Sequence, residues 1–350
     1  MNVTVAQRPT SRHYLPARTA LMALVVLLPC AILLAICIGA VALPVLDTLS
    51  ALLSVSEQGQ TTAIVLQIRL PRALLAALVG ALLGVSGAAT QGLFRNPLAD
   101  PSLIGVTGGA VFGASLAIVL GGSNLLGFAG LSLVAVGAFL GGALAVVMVY
   151  RLATTEMGTS VTTMLLAGIA ITALAGSFSN FLEFIASNEM LRRISLWKMG
   201  GLDGANHARV MLAAAVCLIT MVFLPRHAQA LNALLLGESE ARHLGIDVGH
   251  VKRWLILLVA AAVGSSVALA GTIAFVGLIV PHIMRLMIGP DHRYLLWASA
   301  LAGAILLPVA DVFARVIIAP TELPVGMVTA AIGAPFFILL LRRGPKQGPW

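Results

Sequence analysis

The residues able to do chemistry in this 350-residue chain are few and scattered. Its three lysines, Lys198, Lys252 and Lys346, follow no GxxxxGK[ST] stretch, so no segment is suited to cradling nucleotide phosphates. There is no HExxH or GxSxG sequence, and the seven histidines stand singly. His282, after Pro281, lies within an apolar run and reads as a structural residue before it reads as a cargo contact. Cys30, Cys37 and Cys217 have no metal-ligand spacing and read as packing residues. Ion-driven transport needs carboxylates inside the membrane. Glu183 closes one apolar stretch, while Asp311 has Arg315 four residues on, where the two share a helix face and neutralise each other. What remains is a pair of arginines three apart, Arg69 and Arg72, and a mixed-charge segment from Leu234 to Gly245.

The elements that must position these residues are membrane helices. Apolar side chains make up 59% of the chain and charged ones 10%, against roughly 25% in soluble domains. Mean hydropathy is +1.03. That composition excludes a soluble enzyme, a nucleic-acid binder and a disordered chain. The net charge of +8 has the sign that basic loops of a membrane protein produce. Windows of about 20 apolar residues fall near 19–43, 73–93, 103–120, 125–150, 161–185, 208–225, 295–318 and 326–341. The run from Trp254 to Ile288 is too long for one crossing, about 52 Å as a helix, and Ala270-Gly271-Thr272 predicts two helices joined by a tight turn. The expectation is an all-α, polytopic protein of about ten spans. It comprises tails at 1–18 and 344–350, and one transmembrane domain over 19–343. The first apolar run is too long for a removable signal peptide.

An even count puts both termini on one side. With both inside, fourteen Lys and Arg lie inside and seven outside, as the positive-inside rule prefers. Arg8, Arg12, Arg18, Arg342, Arg343 and Lys346 in the tails belong to the inner set. The outer seven, Arg69, Arg72, Arg192, Arg193, Lys198, Arg209 and Arg315, read either as interfacial anchors or as a basic surface for an acidic partner. Small residues four apart, Gly80/Gly84/Ala88, Gly109/Gly113 and Gly137/Gly141, predict closely packed helices. Prolines at 97–101 and 320–324 predict irregular backbone, which membranes tolerate only where protein or a wet cavity satisfies it.

Residues 226–253 form the one substantial polar inner loop. Within it, Leu234 to Gly245 reads as a short helix, a break at Gly237 and a second short helix. Leu234, Leu235, Ala241 and Leu244 are its candidate apolar knobs for a groove in another protein. The other reading, a helix lying on the bilayer, suits the mixed charges less well.

Four motifs in order resemble the FecCD/BtuC-like permeases of type II ABC importers, which carry vitamin B12, haem and ferric siderophores. They are Arg69-Leu-Pro-Arg72 with Arg95-Asn-Pro-Leu-Ala-Asp-Pro-Ser-Leu-Ile-Gly105, then the Leu236-Gly237-Glu238 loop. Gly271-Thr-Ile-Ala-Phe-Val-Gly277-Leu-Ile-Val-Pro281-His282 and Glu322-Leu-Pro-Val-Gly326 with Gly333-Ala-Pro335 follow. The similarity spans about 60 to 343. It implies a multi-pass subunit of the bacterial cytoplasmic membrane, with both termini cytoplasmic and set in membrane lipid. A second permease copy, two ABC ATPases and a periplasmic or extracellular substrate-binding protein would surround it. ATP and Mg would belong to the partner ATPase, with no cofactor, metal or catalytic residue in this chain and no nucleic-acid partner. By the same resemblance Leu236, Gly237, Glu238, Ala241, Leu244 and Gly245 are ATPase-coupling residues. Arg69, Arg72 and Arg315 pair with acidic residues of the binding protein, and Phe178, Glu183, Ser195, Trp197 and Gly200 are pathway and gate candidates. Lys198 within the gate segment has no counterpart that names a cargo. An ion-coupled secondary transporter is the rival reading.

Overall fold

Five of the helices begin at a capping side chain. Ser160, Ser187, Asn206, Asp247 and Asp291 each accept a backbone N–H of the turn that follows, which satisfies donors a helix start leaves unpaired. The computed structural model describes residues 14–39, 41–53, 59–121, 128–156 and 158–342. Arg8, Arg12, Arg343, Lys346 and the segment 344–350 lie outside the described residues. In order the helices are α1 (Ala17–Cys37), α2 (Val45–Leu53), α3 (Gln60–Ala63), α4 (Leu70–Leu93), α5 (Val106–Gly121), α6 (Phe128–Ala153), α7 (Val161–Ile185) and α8 (Asn188–Lys198). They continue with α9 (His207–Phe223), α10 (Ala228–Leu236), α11 (Glu238–His243), α12 (Val248–Ala270), α13 (Val276–Ile288), α14 (His292–Val316) and α15 (Val325–Arg342). A π-helical turn, Ile64–Arg69, joins α3 to α4, and β1 (Thr154–Thr155) and β2 (Gly158–Thr159) form a small antiparallel hairpin.

Among the described residues, seven helical stretches are long and apolar enough to cross a bilayer. The three shorter apolar helices α5, α13 and α15 complete the expected ten. One detail of the sequence reading is corrected. The join between α12 and α13 is no tight turn but a non-helical stretch from Gly271 to Phe275, and α13 is only 13 residues, about 20 Å long. The missing helical hydrogen bonds are replaced by protein, because Gly201 N donates to Ala270 O at 2.9 Å and Thr272 Oγ1 donates to the Lys198 carbonyl. Irregular backbone is thus satisfied at membrane depth, as it must be.

The centre of the bundle is α4, with 89% of its most apolar window buried. It can sit there because its glycines admit neighbouring backbone. A Cβ on Gly80 or Gly84 would run into the Gly303 or Ser299 carbonyl of α14, and one on Gly87 into Gly277 of α13. Likewise Gly109 and Gly113 of α5 meet Gly141 and Gly137 of α6. These are the small-residue faces read from the sequence. Van der Waals contact of this kind holds helices together where lipid offers no hydrophobic drive.

Gly84→Val should therefore separate α4 from α14 and cost about 1–3 kcal/mol or more by overpacking. Gly176, with nothing within 4 Å of its added Cβ, is the control. Thermal unfolding in detergent should show a lower midpoint for Gly84→Val and an unchanged or slightly higher one for Gly176→Ala.

Candidate functional site

Polar chemistry collects at the two ends of the bundle. One, the arginine end, carries Arg69, Arg72, Arg315 and the 187–206 segment. The other, the loop end, carries Arg95, the β1–β2 hairpin, α10, α11 and the 289–291 turn.

At the arginine end, α4 and α14 bring Arg72 and Arg315 onto one carboxylate. Arg72 donates from Nε and Nη2 to Asp311 at 2.9–3.1 Å, and Arg315 Nε lies 3.0 Å from Asp311 Oδ2. Asp311 is fully buried. Arg72 Nη1 also reaches Glu322 Oε2 at 2.6 Å, and Glu322 keeps 36% of its side chain exposed. Arg69 Nη1 donates to the carbonyls of Ile36 and Cys37 at 2.9 Å each, its Nη2 to Val41, and Arg315 Nη2 to Ala35 O at 2.9 Å. The last carbonyls of α1 have no partner within their own helix, and two arginines supply it.

The expected docking set is thus brought together but not presented. All three arginines are buried and hold internal partners, so the picture of free outer cations is corrected. The Asp311–Arg315 pair was legible from its spacing. Arg72 is 239 residues from Asp311, and no local pattern signals that contact.

The gate candidates lie nearby. Lys198 of α8 makes an ion pair with Glu183 of α7. Gly200, in the left-handed region at φ 72°, accepts from Gly326 N at 3.3 Å. An added Cβ on Gly271 or Gly326 would strike the Trp197 or Met199 carbonyl. The end of α8 is thereby held between the end of α12 and the start of α15. Ser195 and Trp197 are half-buried on α8, whereas Phe178 stands elsewhere on α7, its ring 5.8 Å from that of Phe112 on α5. Gly271 and Gly326, which complete this contact, were not among the candidates. Their positions in the two recurring motifs were the available signal.

At the loop end, α10, Gly237 and α11 form the expected broken helix pair. Its outward apolar side chains are Leu236 and Leu244, 69% and 64% exposed. Leu234 and Ala241 are corrected as outward knobs: both are buried in the chain's own core, because α10 packs on α4 and α14 and α11 packs on α12. Glu238 accepts from Lys252 Nζ at 2.6 Å, and Gly245 ends α11 with φ 80°. A second polar lock joins α10 to α14: Asn232 Nδ2 donates to Asp291 Oδ1 at 2.7 Å, and His292 N donates to Asn232 Oδ1 at 2.8 Å. Hydrogen bonds from Arg293, and a lesser one from Asn232, hold Asp291 down at about 2. Its contribution to stability is therefore complete above the ordinary carboxylate value of 3.8 and disappears as pH falls through about 2.

Between the ends, α7 is nearly bare, with 11% of its window buried. Thr162, Thr163, Thr172, Ser177 and Asn180 are exposed along it beside Leu166 and Ile169. Polar side chains exposed within a span face another subunit or water more readily than lipid.

A family model, the FecCD transport family, matches residues 25–343. The chain belongs to that family. It is 44% identical to the hemin transport system permease protein HmuU of Yersinia pestis over 282 residues, covering 81% of this chain and 84% of HmuU. It is 45% identical to the cobalamin import system permease protein BtuC of Halobacterium salinarum, covering 79% and 72% of the two chains. A solved metal-chelate type ABC transporter in an inward-facing conformation superposes with a TM-score of 0.81 at 31% identity, covering 93% of this chain and all of that one. PsaBC from Streptococcus pneumoniae, at 18% identity and a TM-score of 0.53 over 79% of this chain and 92% of that one, shares the fold. The protein is a multi-pass permease of an ABC transport family.

Removing the shared carboxylate should be far worse than removing the exposed one. Asp311→Asn leaves the buried Arg315 without its carboxylate and Arg72 with Glu322 alone, and should cost about 3–5 kcal/mol. Glu322→Gln should leave stability nearly unchanged. Thermal unfolding in detergent distinguishes them.

Proposed function

We propose that this chain is the membrane-spanning subunit of an ATP-driven importer for a metal chelate, with haem or a ferric siderophore ahead of cobalamin as cargo. The match to a metal-chelate type ABC transporter along 93% of the chain carries this reading. The loop end faces the cytoplasm with both termini, and its exposed Leu236 and Leu244 fit a groove of a partner ATPase. The arginine end faces the substrate-binding protein. The bare, polar-studded face of α7 lines the pathway against a second copy of the chain. Family membership weighs against the ion-coupled rival, and the paired state of Asp311 and Glu183 adds to that.

Docking of the binding protein needs an accessible cation. Arg72 is the one arginine of the cluster whose internal anion, Glu322, is itself exposed. A carboxylate of the binding protein would take the place of Glu322. Reversing Arg69 or Arg72 would break buried contacts and could not report docking, whereas Glu322→Gln leaves the fold alone. It should raise the association rate of the binding protein at low salt, in the manner of rim charges. An unchanged rate would assign Arg72 a purely internal role.

The transport reading itself is tested by hydrolysis. The purified chain should hydrolyse no ATP, and in lipid it should stimulate its partner ATPase when the loaded binding protein is added. Hydrolysis by the chain alone would overturn it.

A further inference from the structure

α11 is six residues long, and a glycine of positive φ stands at each end, Gly237 at 127° and Gly245 at 80°. So short a helix does not hold itself in place, and glycine at such angles costs little to rotate. A push on the exposed Leu236 and Leu244 would be lost in these joints unless the inner side of α11 is tied to the bundle. Burial of Ala241 is one tie. The other is Lys252, which is 2% exposed. Its ammonium donates to Glu238 Oε1 at 2.6 Å and to the Thr159 carbonyl at 2.7 Å.

One buried ammonium thus joins α11, the β1–β2 hairpin and α12. Lysine is almost never buried without a partner, and a buried ion pair adds little net stability. Its value here lies in geometry. From Lys252, α12 runs on to Ala270 at the opposite end without a proline, about 28 Å at 1.5 Å per residue. There Ala270 O accepts from Gly201 N, and Thr272 Oγ1 donates to Lys198 O. The far end of the same helix therefore holds the segment that carries Trp197 and Gly200.

We propose that Lys252 is a positioning residue for transport: it makes α11 and α12 one lever, so that displacement of α11 by the ATPase reaches the Gly200 segment. Lys252 itself touches neither ATP nor cargo. The proposal rests on the reading of the loop end as the ATPase-facing side.

The test is ATP hydrolysed per cargo molecule imported, measured on the assembled transporter in proteoliposomes with its binding protein and ferric siderophore or haem as probe. Lys252→Met keeps the apolar stem and removes the charge, and it should raise this ratio by about tenfold, which is about 1.4 kcal/mol of lost coupling. Lys252→Arg, which keeps a donor, should restore most of the coupling. If Lys252→Met does not assemble, Glu238→Gln, which loses the charge but keeps an acceptor, should raise the ratio in the same direction. Import and hydrolysis falling together with the amount of assembled complex, at an unchanged ratio, would overturn the proposal and leave Lys252 a purely structural residue. Wild-type protein that imports nothing with ATP would instead overturn the importer reading.

Discussion

A single carboxylate organises the arginine end. Asp311 is fully buried on α14 and accepts from Arg72 of α4 and Arg315 of its own helix. A lone carboxylate there would pay a desolvation penalty that no membrane helix could offset. With two guanidinium groups it becomes a joint. Arg315 passes the contact on to Ala35 at the end of α1, where Arg69 takes the next two carbonyls. Three helices that are far apart in sequence are thereby fixed at one end. Below this joint the glycine faces of α4 and α14 let the same pair of helices touch along their length.

These contacts join α1, α4 and α14 into one unit, and the remaining elements attach to it by fewer ties. The segment after α8 is held by backbone contacts to Gly271 and Gly326. The helix pair α10–α11 is fastened to α14 through Asn232 and to α12 through Lys252. Each end of the molecule is therefore tied to the other through helices. α7 packs on α5 and α6 by one side and leaves most of its residues uncovered by its own chain.

Much of this was legible in the residues themselves. The eight apolar windows and the long run read as two helices became, among the described residues, seven helices long enough to cross and three shorter apolar ones, because hydropathy and length report membrane crossing directly. The glycine spacings named the faces that meet, since a missing side chain is visible in one sequence. The broken helix pair at Gly237 followed from a glycine between two amphipathic stretches. What escaped was long-range polar pairing. Arg72 with Asp311, Lys252 with Thr159 and Asn232 with Asp291 join residues 59 to 239 positions apart. No period or spacing records such contacts. The same gap explains why Ala241 and the three arginines were expected at surfaces. Side-chain direction on a six-residue helix, or at the mouth of a span, depends on neighbours that the local sequence does not contain.

The pairing of Asp311 also bears on where the energy for transport comes from. The described spanning helices carry two carboxylates, Glu183 and Asp311, and both are held by cations of the same chain. A carboxylate bound in this way is a poor proton carrier, which agrees with the proposed supply of work by a partner ATPase. The direct measurement is uptake of a ferric siderophore or haem into proteoliposomes that hold the assembled transporter with the binding protein outside. One set carries internal ATP and no ion gradient, and the other an imposed proton or sodium gradient and no ATP. Uptake in the first set alone is the predicted result. Uptake driven by the gradient without ATP would contradict it.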